Sequence, residues 1–159
     1  MKFIAKKSIT RLWMMFLLAG LSLISVSSLS FAATPKPGDS LGGGIVFYVD
    51  GTGQHGLIVS KTDMAGRSSG KEEGVMNWYD ANTAANAFVE GYGDWVLPNK
   101  EQLHQLYLNK SAIGGIVDTY YWSSSESDGN NAWAEYFLNG NQVAGNKSNG
   151  SCVRAVRAF

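Results

Sequence analysis

The chain has 159 residues, 45% of them apolar, and its 13 basic residues balance its 13 acidic ones. All four charged residues in the first 32 positions are basic, so the segment after position 32 has 13 minus 4, or 9, basic residues against 13 acidic ones. This acidic balance excludes a generic nucleic-acid or membrane-surface binder, because such proteins need a surplus of Lys and Arg on one face.

The first 32 residues have the pattern of a secretory signal peptide. A basic start is followed by an apolar stretch at residues 12–26, and Ser30-Phe31-Ala32 offers the small residues that precede a cleavage site. The apolar stretch is interrupted by serines and is shorter than the roughly 18 residues that a membrane-spanning helix needs. We therefore expect cleavage after Ala32, export to the periplasm, the cell surface or the medium, and no membrane insertion of the mature chain.

The part of the chain after position 32 has the length of one domain, 159 minus 32 or 127 residues. Cys152 is its only cysteine, so no disulfide can form within the chain. We assign residues 33–42, which contain two prolines, to an extended lead-in, and residues 43–159 to the domain.

Two short strands are predicted at the start of the domain. Residues 45–49 and 56–60 are apolar and flank the turn sequence Asp50-Gly51-Thr52-Gly53, a pattern typical of a hairpin. The three glycines at 42–44 precede a strand instead of following one, which excludes a phosphate-binding loop.

Two helices are predicted in the middle of the domain. A polar, glycine-rich loop at residues 62–74 is followed by an alanine-rich helix at 81–90. A second helix, ending near residue 109, begins after Asn99, which forms the sequence pattern of a capping box with Gln102. Residues 111–117 are predicted to be a loop.

Three more strands are predicted towards the C-terminus, at residues 119–124, 132–138 and 151–159, with a turn at 139–141. The last strand is rich in small and β-branched residues, so we expect it to be central and to have the N-terminal strand as a neighbour. The chain is thus predicted to be an α+β domain of antiparallel sheets and two helices, with adjacent N- and C-terminal strands.

Five stretches in one order resemble a known family. They are Gly-Gly-Ile-Val-Phe-Tyr-Val-Asp at 43–50, Gly-Gln-His-Gly-Leu-Ile at 53–58, Trp-Val-Leu-Pro-Asn-Lys-Glu-Gln-Leu at 95–103, Tyr-Trp-Ser-Ser-Ser-Glu at 121–126 and Val-Arg-Ala-Val-Arg at 153–157. Together they resemble the Lcl C-terminal domain family of exported bacterial proteins, which includes a collagen-like adhesin. The resemblance implies a C-type-lectin-like fold, distantly similar to formylglycine-generating enzymes. For the adhesin it implies binding of sulphated glycosaminoglycans as a trimer.

The candidate ligand-binding residues lie in the last forty positions. Trp122, Trp133 and Tyr136 either form an aromatic platform for a sugar ring or pack in the core, which is the commoner fate of aromatics on half-buried strands. Glu126 is followed by Asp128 and Asn130 in one loop, whose oxygen atoms suit a cation such as calcium but equally an ordinary turn. The loop has no EF-hand spacing, and we expect no metal site or cofactor.

Basic residues near the C-terminus are also candidates. Lys147, Arg154 and Arg157 could form a local basic patch. The two arginines are an odd number of positions apart, so on a regular strand they face opposite sides, and one could pair internally with Glu126 or Glu135.

No catalytic group is predicted. Cys152 begins an expected central strand, where an inert thiol is common, and nothing in the sequence places His55 or His104 beside it. We expect an exported, non-catalytic module that recognises an extracellular glycan or a surface protein, as in an adhesin. The alternatives are a periplasmic protein-interaction or envelope-assembly domain without a sugar ligand, and an enzyme distantly similar to the formylglycine-generating group.

Overall fold

The computed structural model describes residues 33–64, 74–88 and 90–159. The predicted signal peptide at 1–32 and most of the predicted loop at 62–74 lie outside these ranges. The strands are β1 Ser40–Leu41, β2 Gly44–Val49, β3 Gly56–Val59, β4 Val75–Met76, β5 Tyr120–Glu126, β6 Asn131–Tyr136, β7 Asn141–Asn146, β8 Ser151–Cys152 and β9 Val156–Ala158. The helices are α1 Trp78–Ala87, α2 Lys100–Leu108 and α3 Lys110–Ile113.

The first sheet contains four antiparallel strands in the order β1-β2-β3-β9. The predicted hairpin of β2 and β3 is present, because the turn after β2 is closed by Asp50, whose carboxylate accepts the backbone N–H groups of Thr52 and Gly53 at 3.0 Å each. The C-terminal strand β9 pairs with β3, the second strand of that hairpin. The expectation that it lies beside the first strand of the domain is therefore wrong.

The second sheet contains five strands in the order β4-β8-β5-β6-β7. The β5–β6–β7 meander is antiparallel, whereas β8 lies parallel to β5. Strands β5 and β6 confirm the sequence prediction to within two residues. β7 was not predicted, because its sequence Asn-Gln-Val-Ala-Gly-Asn contains only one β-branched residue.

The chain passes from the second sheet to the first at residues 153–155. The predicted single strand at 151–159 is wrong, since β8 and β9 belong to different sheets. Val153, Arg154 and Ala155 between them are at most 1% exposed. These three residues belong to no strand, and their backbone carbonyls accept hydrogen bonds from the segment after β3 instead. Met64 N–H donates to the Val153 carbonyl at 2.8 Å, and Ser60 N–H donates to the Ala155 carbonyl at 2.9 Å.

Each helix covers part of the core. α1 begins three residues earlier than predicted, because the side chain of Asn77 accepts the Asp80 N–H at 2.9 Å and caps the helix there. α2 has the predicted capping box of Asn99 and Gln102, with reciprocal bonds of 2.8 and 2.9 Å. The short helix α3 begins one residue before the predicted loop at 111–117 and includes its first three residues.

Two clusters of buried apolar side chains form the core, one containing Trp95 and Trp122 and the other containing Phe47, Tyr121 and Leu103. Within the described ranges, none of the helices has the length and the apolar character required to cross a membrane.

Candidate functional site

An open pocket of about 180 Å³ lies on one face of the β5–β6–β7 meander. The buried side chains of Trp122 and Ala134 and the backbone of Gly145 form its floor. Tyr120 and Val143, which are 42% and 36% exposed, stand at its sides, and residues 149–151 line its rim. The pocket is smaller than the roughly 300 to 1,000 Å³ of sites for drug-sized ligands, so it suits a single ring-sized group.

The register of the strands explains why these side chains share a face. Tyr120 is paired with Tyr136 and Trp122 with Ala134, so all four point to the same side of the sheet. The rings of Tyr120 and Tyr136 are stacked, with centroids 4.6 Å apart. Gly145 lies directly over the Trp122 ring, where a Cβ atom would come within 2.9 Å of it. A glycine at this position therefore keeps the floor of the pocket open.

The predicted platform of three aromatics does not form as one surface. Trp122 is 1% exposed, and its indole N–H donates to the Met76 carbonyl at 3.0 Å, so it belongs to the core. Trp133 lies on the opposite face from Trp122 and Tyr136, since it is one residue from Ala134 in β6. Of the three, Tyr136 is the one that reaches the open face, stacked on a tyrosine that was not predicted.

Trp133 belongs instead to a polar cluster on the face next to α2. The Lys100 ammonium lies 3.2 Å from the centroid of the Trp133 ring. Beside it, the fully buried carboxylate of Glu135 is 2.8 Å from His104 Nδ1 and accepts a bond from Gln142 at 3.2 Å. This cluster joins α2 to the sheet.

Lys147 occupies the centre of the loop between β5 and β6. It is 4% exposed, and its ammonium group donates to the Glu126 carboxylate. The same group donates to the carbonyl oxygen of Asp128 at 3.2 Å and to that of Gly129 at 3.0 Å. The Trp78 ring lies 4.7 Å from the same nitrogen. Lys147, a predicted ligand-binding residue, is therefore buried and bonded within the chain, and Glu126 is engaged in the same contact.

Asp128 completes this loop by accepting hydrogen bonds within it. Its Oδ1 atom accepts the backbone N–H groups of Asn130 at 2.8 Å and Asn131 at 2.9 Å, and the Asn131 amide also donates to it. These donors, the Asn131 side chain first, lower the pKa of Asp128. The loop lies at the opposite end of the β5–β6 hairpin from Tyr120 and Tyr136. Its polar composition is accounted for by contacts within the chain.

Within the described residues, Lys147, Arg154 and Arg157 do not form a shared basic patch, because each is held in an ion pair. Arg154 is buried and contacts Asp63 and the Ser60 carbonyl, while Arg157 makes two bonds to Asp94 at 2.7 and 3.0 Å. The pairing with Asp94 raises the pKa of Arg157. The predicted internal partners Glu126 and Glu135 are wrong, because they bind Lys147 and His104.

Cys152 is buried beside Tyr121 in β5. Burial first, and then the nearby Asp63 carboxylate, raise the pKa of its thiol to about 11. A thiol that stays protonated at neutral pH is a poor nucleophile. Within residues 33–64, 74–88 and 90–159, no group of three His, Cys, Asp or Glu side chains is placed to hold a metal ion.

One antiparallel sheet and one mixed sheet, with few helices, define a predominantly β domain of the α+β class. The model of the Lcl C-terminal domain family matches residues 54–157, so this chain belongs to the Lcl C-terminal domain family. The match confirms the resemblance and includes every residue of the pocket. No curated protein matches the chain.

Proposed function

We propose that this chain is an exported, non-catalytic module that binds one uncharged sugar unit of an extracellular glycan in the pocket on the β5–β6–β7 face. The observation that carries this function is the stacked pair of Tyr120 and Tyr136 beside an open, ring-sized pocket. Aromatic rings present flat apolar surface to the C–H faces of a sugar, and neighbouring polar groups fix its hydroxyls. Export is supported by the signal-peptide pattern of the first 32 residues.

The polar groups of the rim suit hydroxyl or acetamido substituents. Asn149 is exposed at the rim with its side-chain amide, and Ser151 adds a hydroxyl. Both side chains are uncharged and can donate and accept hydrogen bonds, so a sugar hydroxyl can act toward them as an acceptor or as a donor.

Charge favours a neutral sugar over a sulphated one. Every residue that lines the pocket is uncharged. The basic residues Lys147, Arg154 and Arg157 are held in ion pairs within the chain. A sulphate group would therefore lose its hydration without gaining a charged partner, which is unfavourable. The glycosaminoglycan ligand that the resemblance implies thus receives no support from this pocket.

A binding role on a C-type-lectin-like fold also agrees with the state of the chemical groups. Cys152 is buried with a raised pKa, and His104 is engaged with Glu135 on the other side of the sheet from the pocket. Neither group faces the pocket. Attachment of the cell to a glycan-bearing surface is the role that such a module would serve.

The test is a binding measurement on the purified protein with neutral and sulphated oligosaccharides at low and high salt. We expect saturable binding of a neutral sugar with a Kd that changes little with salt, because no ion pair is screened. Tyr120→Ala should weaken it about tenfold, the equivalent of about 1.4 kcal/mol of stacking. Asn149→Ala should weaken it by a smaller factor.

Tyr79→Ala is the matched control, since Tyr79 is 58% exposed on α1 and does not line the pocket. Its affinity should equal that of the wild type. Binding of sulphated glycans alone, with a steep salt dependence and no effect of Tyr120→Ala, would contradict the proposal. Absence of binding to any glycan would redirect the search to a protein partner.

A further inference from the structure

β7 is the long open edge of this fold. The edge strands β1 and β4 have two residues each, and β9 has three and is further covered by the bridge from Val96 to Val156. β7 has six residues and pairs with β6 on one side only. Unpaired backbone groups along an edge of this length are a template for another strand.

The register shows which backbone groups point outwards. Lys147 N–H donates to the Asn130 carbonyl at 2.9 Å, which fixes that pair as a hydrogen-bonded one. Bonded pairs alternate along an antiparallel ladder, so 145, 143 and 141 bond to β6, while Gln142, Ala144 and Asn146 direct their backbone groups away from the sheet. The Asn146 carbonyl is engaged by Asn149 N–H at 2.8 Å, which leaves the Asn146 N–H for the edge.

β7 has none of the usual features that prevent edge pairing. Its six residues include no charge and no proline. Its register with β6 is continuous over six pairs, whereas the β2–β3 and β5–β6 ladders both contain irregularities. Four of its six residues are exposed, including Ala144 at the middle, so no other element of the described chain covers the edge there.

We propose that β7 pairs with β7 of a second copy of this chain, antiparallel about a two-fold axis at Ala144. In this register Ala144 faces Ala144 and Gln142 faces Asn146, which gives two bonds between the Ala144 residues and two from Asn146 N–H to the Gln142 carbonyl. The strand is complementary to itself because it carries no charge that would be repelled and has the smallest side chains, Ala144 and Gly145, around the axis. The result is a continuous ten-stranded sheet.

The pairing leaves the pocket open. An axis perpendicular to the sheet keeps the same face of both copies on one side, so the two Tyr120–Tyr136 pairs face the same direction. Contact along the edge covers neither face, and dimer formation does not require a sugar ligand. Failure of glycan binding would therefore not bear on the dimer, and failure of the dimer would not bear on glycan binding.

The first test is the mass of the purified protein by sedimentation velocity over a range of concentrations. We expect the wild type to approach twice the monomer mass and Ala144→Glu to stay monomeric, because two carboxylates would meet at the axis. Leu108→Glu, at a residue 57% exposed at the end of α2, is the matched control and should dimerise like the wild type. The proposal would be overturned by a wild type that stays monomeric up to about 1 mM, since a Kd of that size corresponds to a binding free energy of only about 4 kcal/mol. A trimer would also overturn it, because a two-fold contact closes at two copies.

The second test checks the register by mild oxidation of cysteine variants. Paired residues at the axis have Cα atoms about 5.5 Å apart, within the range of about 4.4 to 6.8 Å that a disulfide spans. Ala144→Cys should therefore form a covalent dimer. Asn141→Cys, on the same strand but about 20 Å from its counterpart in this register, should not. Crosslinking of both variants to the same extent, or of neither in a protein that sediments as a dimer, would overturn the register.

Discussion

The ammonium group of Lys147 binds several oxygen atoms of the β5–β6 loop, as a bound metal cation would. It gathers the Glu126 carboxylate and the carbonyl oxygens of Asp128 and Gly129 around one nitrogen. A lysine with 4% exposure is tolerated there because each of its three donors has an acceptor. The loop geometry therefore depends on a side chain that arrives from the end of β7.

Replacing this lysine tests that role. Lys147→Met keeps the length of the side chain but leaves the carbonyl oxygens of 128 and 129 without their donor. Hydrogen bonds to charged groups contribute about 1.5–3 kcal/mol, so we expect the free energy of unfolding to fall by about 2 kcal/mol in urea denaturation. The control Lys36→Met removes an exposed pair with Asp39, whose lysine side chain is 76% exposed, and should change stability by less than about 0.5 kcal/mol. Equal losses in the two variants would contradict the internal role of Lys147.

Residue-level predictions from the sequence succeeded where the information is local. The capping box of Asn99 and Gln102 is set by residues three positions apart, and both of its bonds are present. The partners of Arg154 and Arg157 were predicted wrongly, because Asp63 and Asp94 lie 91 and 63 positions away in the sequence. Which carboxylate an arginine meets depends on the arrangement of the two sheets, and no local pattern encodes it.

At the scale of elements, the turn between β6 and β7 requires glycine. Gly140 has φ of 80°, and an added Cβ would lie 2.4 Å from the Tyr107 ring of α2. Gly140→Ala should therefore destabilise the domain by about 1–3 kcal/mol, measured by thermal or urea unfolding.

Gly129 is the matched control, since it lies in the turn between β5 and β6 and has no atom within 4 Å of an added Cβ. Gly129→Ala should leave stability within about 0.5 kcal/mol of the wild type. If Gly140→Ala left the free energy of unfolding unchanged, the turn and α2 would be able to move apart without loss of stability, which would contradict this prediction.

The elements that the sequence did not predict are those whose existence depends on a neighbour. β7 has weak strand propensity and forms because six of its residues pair in register with β6. The pocket was missed for the same reason, since Val143 and Gly145 line it only once β7 is in place. Tyr120 was within reach of the sequence, because it alternates with Trp122 along a predicted strand.

For the whole molecule, acid should weaken the fold through its paired carboxylates. The pKa of Asp94 is lowered by its bonds with Arg157, and that of Asp50 by the hydroxyl and N–H of Thr52. A carboxyl whose pKa is lower in the folded state contributes stability above its unfolded pKa, about 3.9 for Asp, and loses it as the pH falls through the folded value. The free energy of unfolding should thus be level above about pH 5 and fall below about pH 4.

Urea unfolding between pH 7 and pH 2 measures this dependence. Asp94→Asn removes one of the contributing groups, so its curve should start lower at neutral pH and fall less steeply in acid. A wild-type curve that rises on acidification, or a slope unchanged by Asp94→Asn, would contradict the assignment.

The passage of residues 153–155 between the sheets also sets the order in which this protein can be completed. β8 joins β4 to β5 in one sheet, and β9 is the edge strand of the other, so both sheets require residues 151–159. Synthesis proceeds from the N-terminus, so a nascent chain that does not yet include residues 151–159 has two incomplete sheets. Both sheets therefore become complete only when residues 151–159 have been synthesised, and until then the polypeptide remains threadable through a narrow channel.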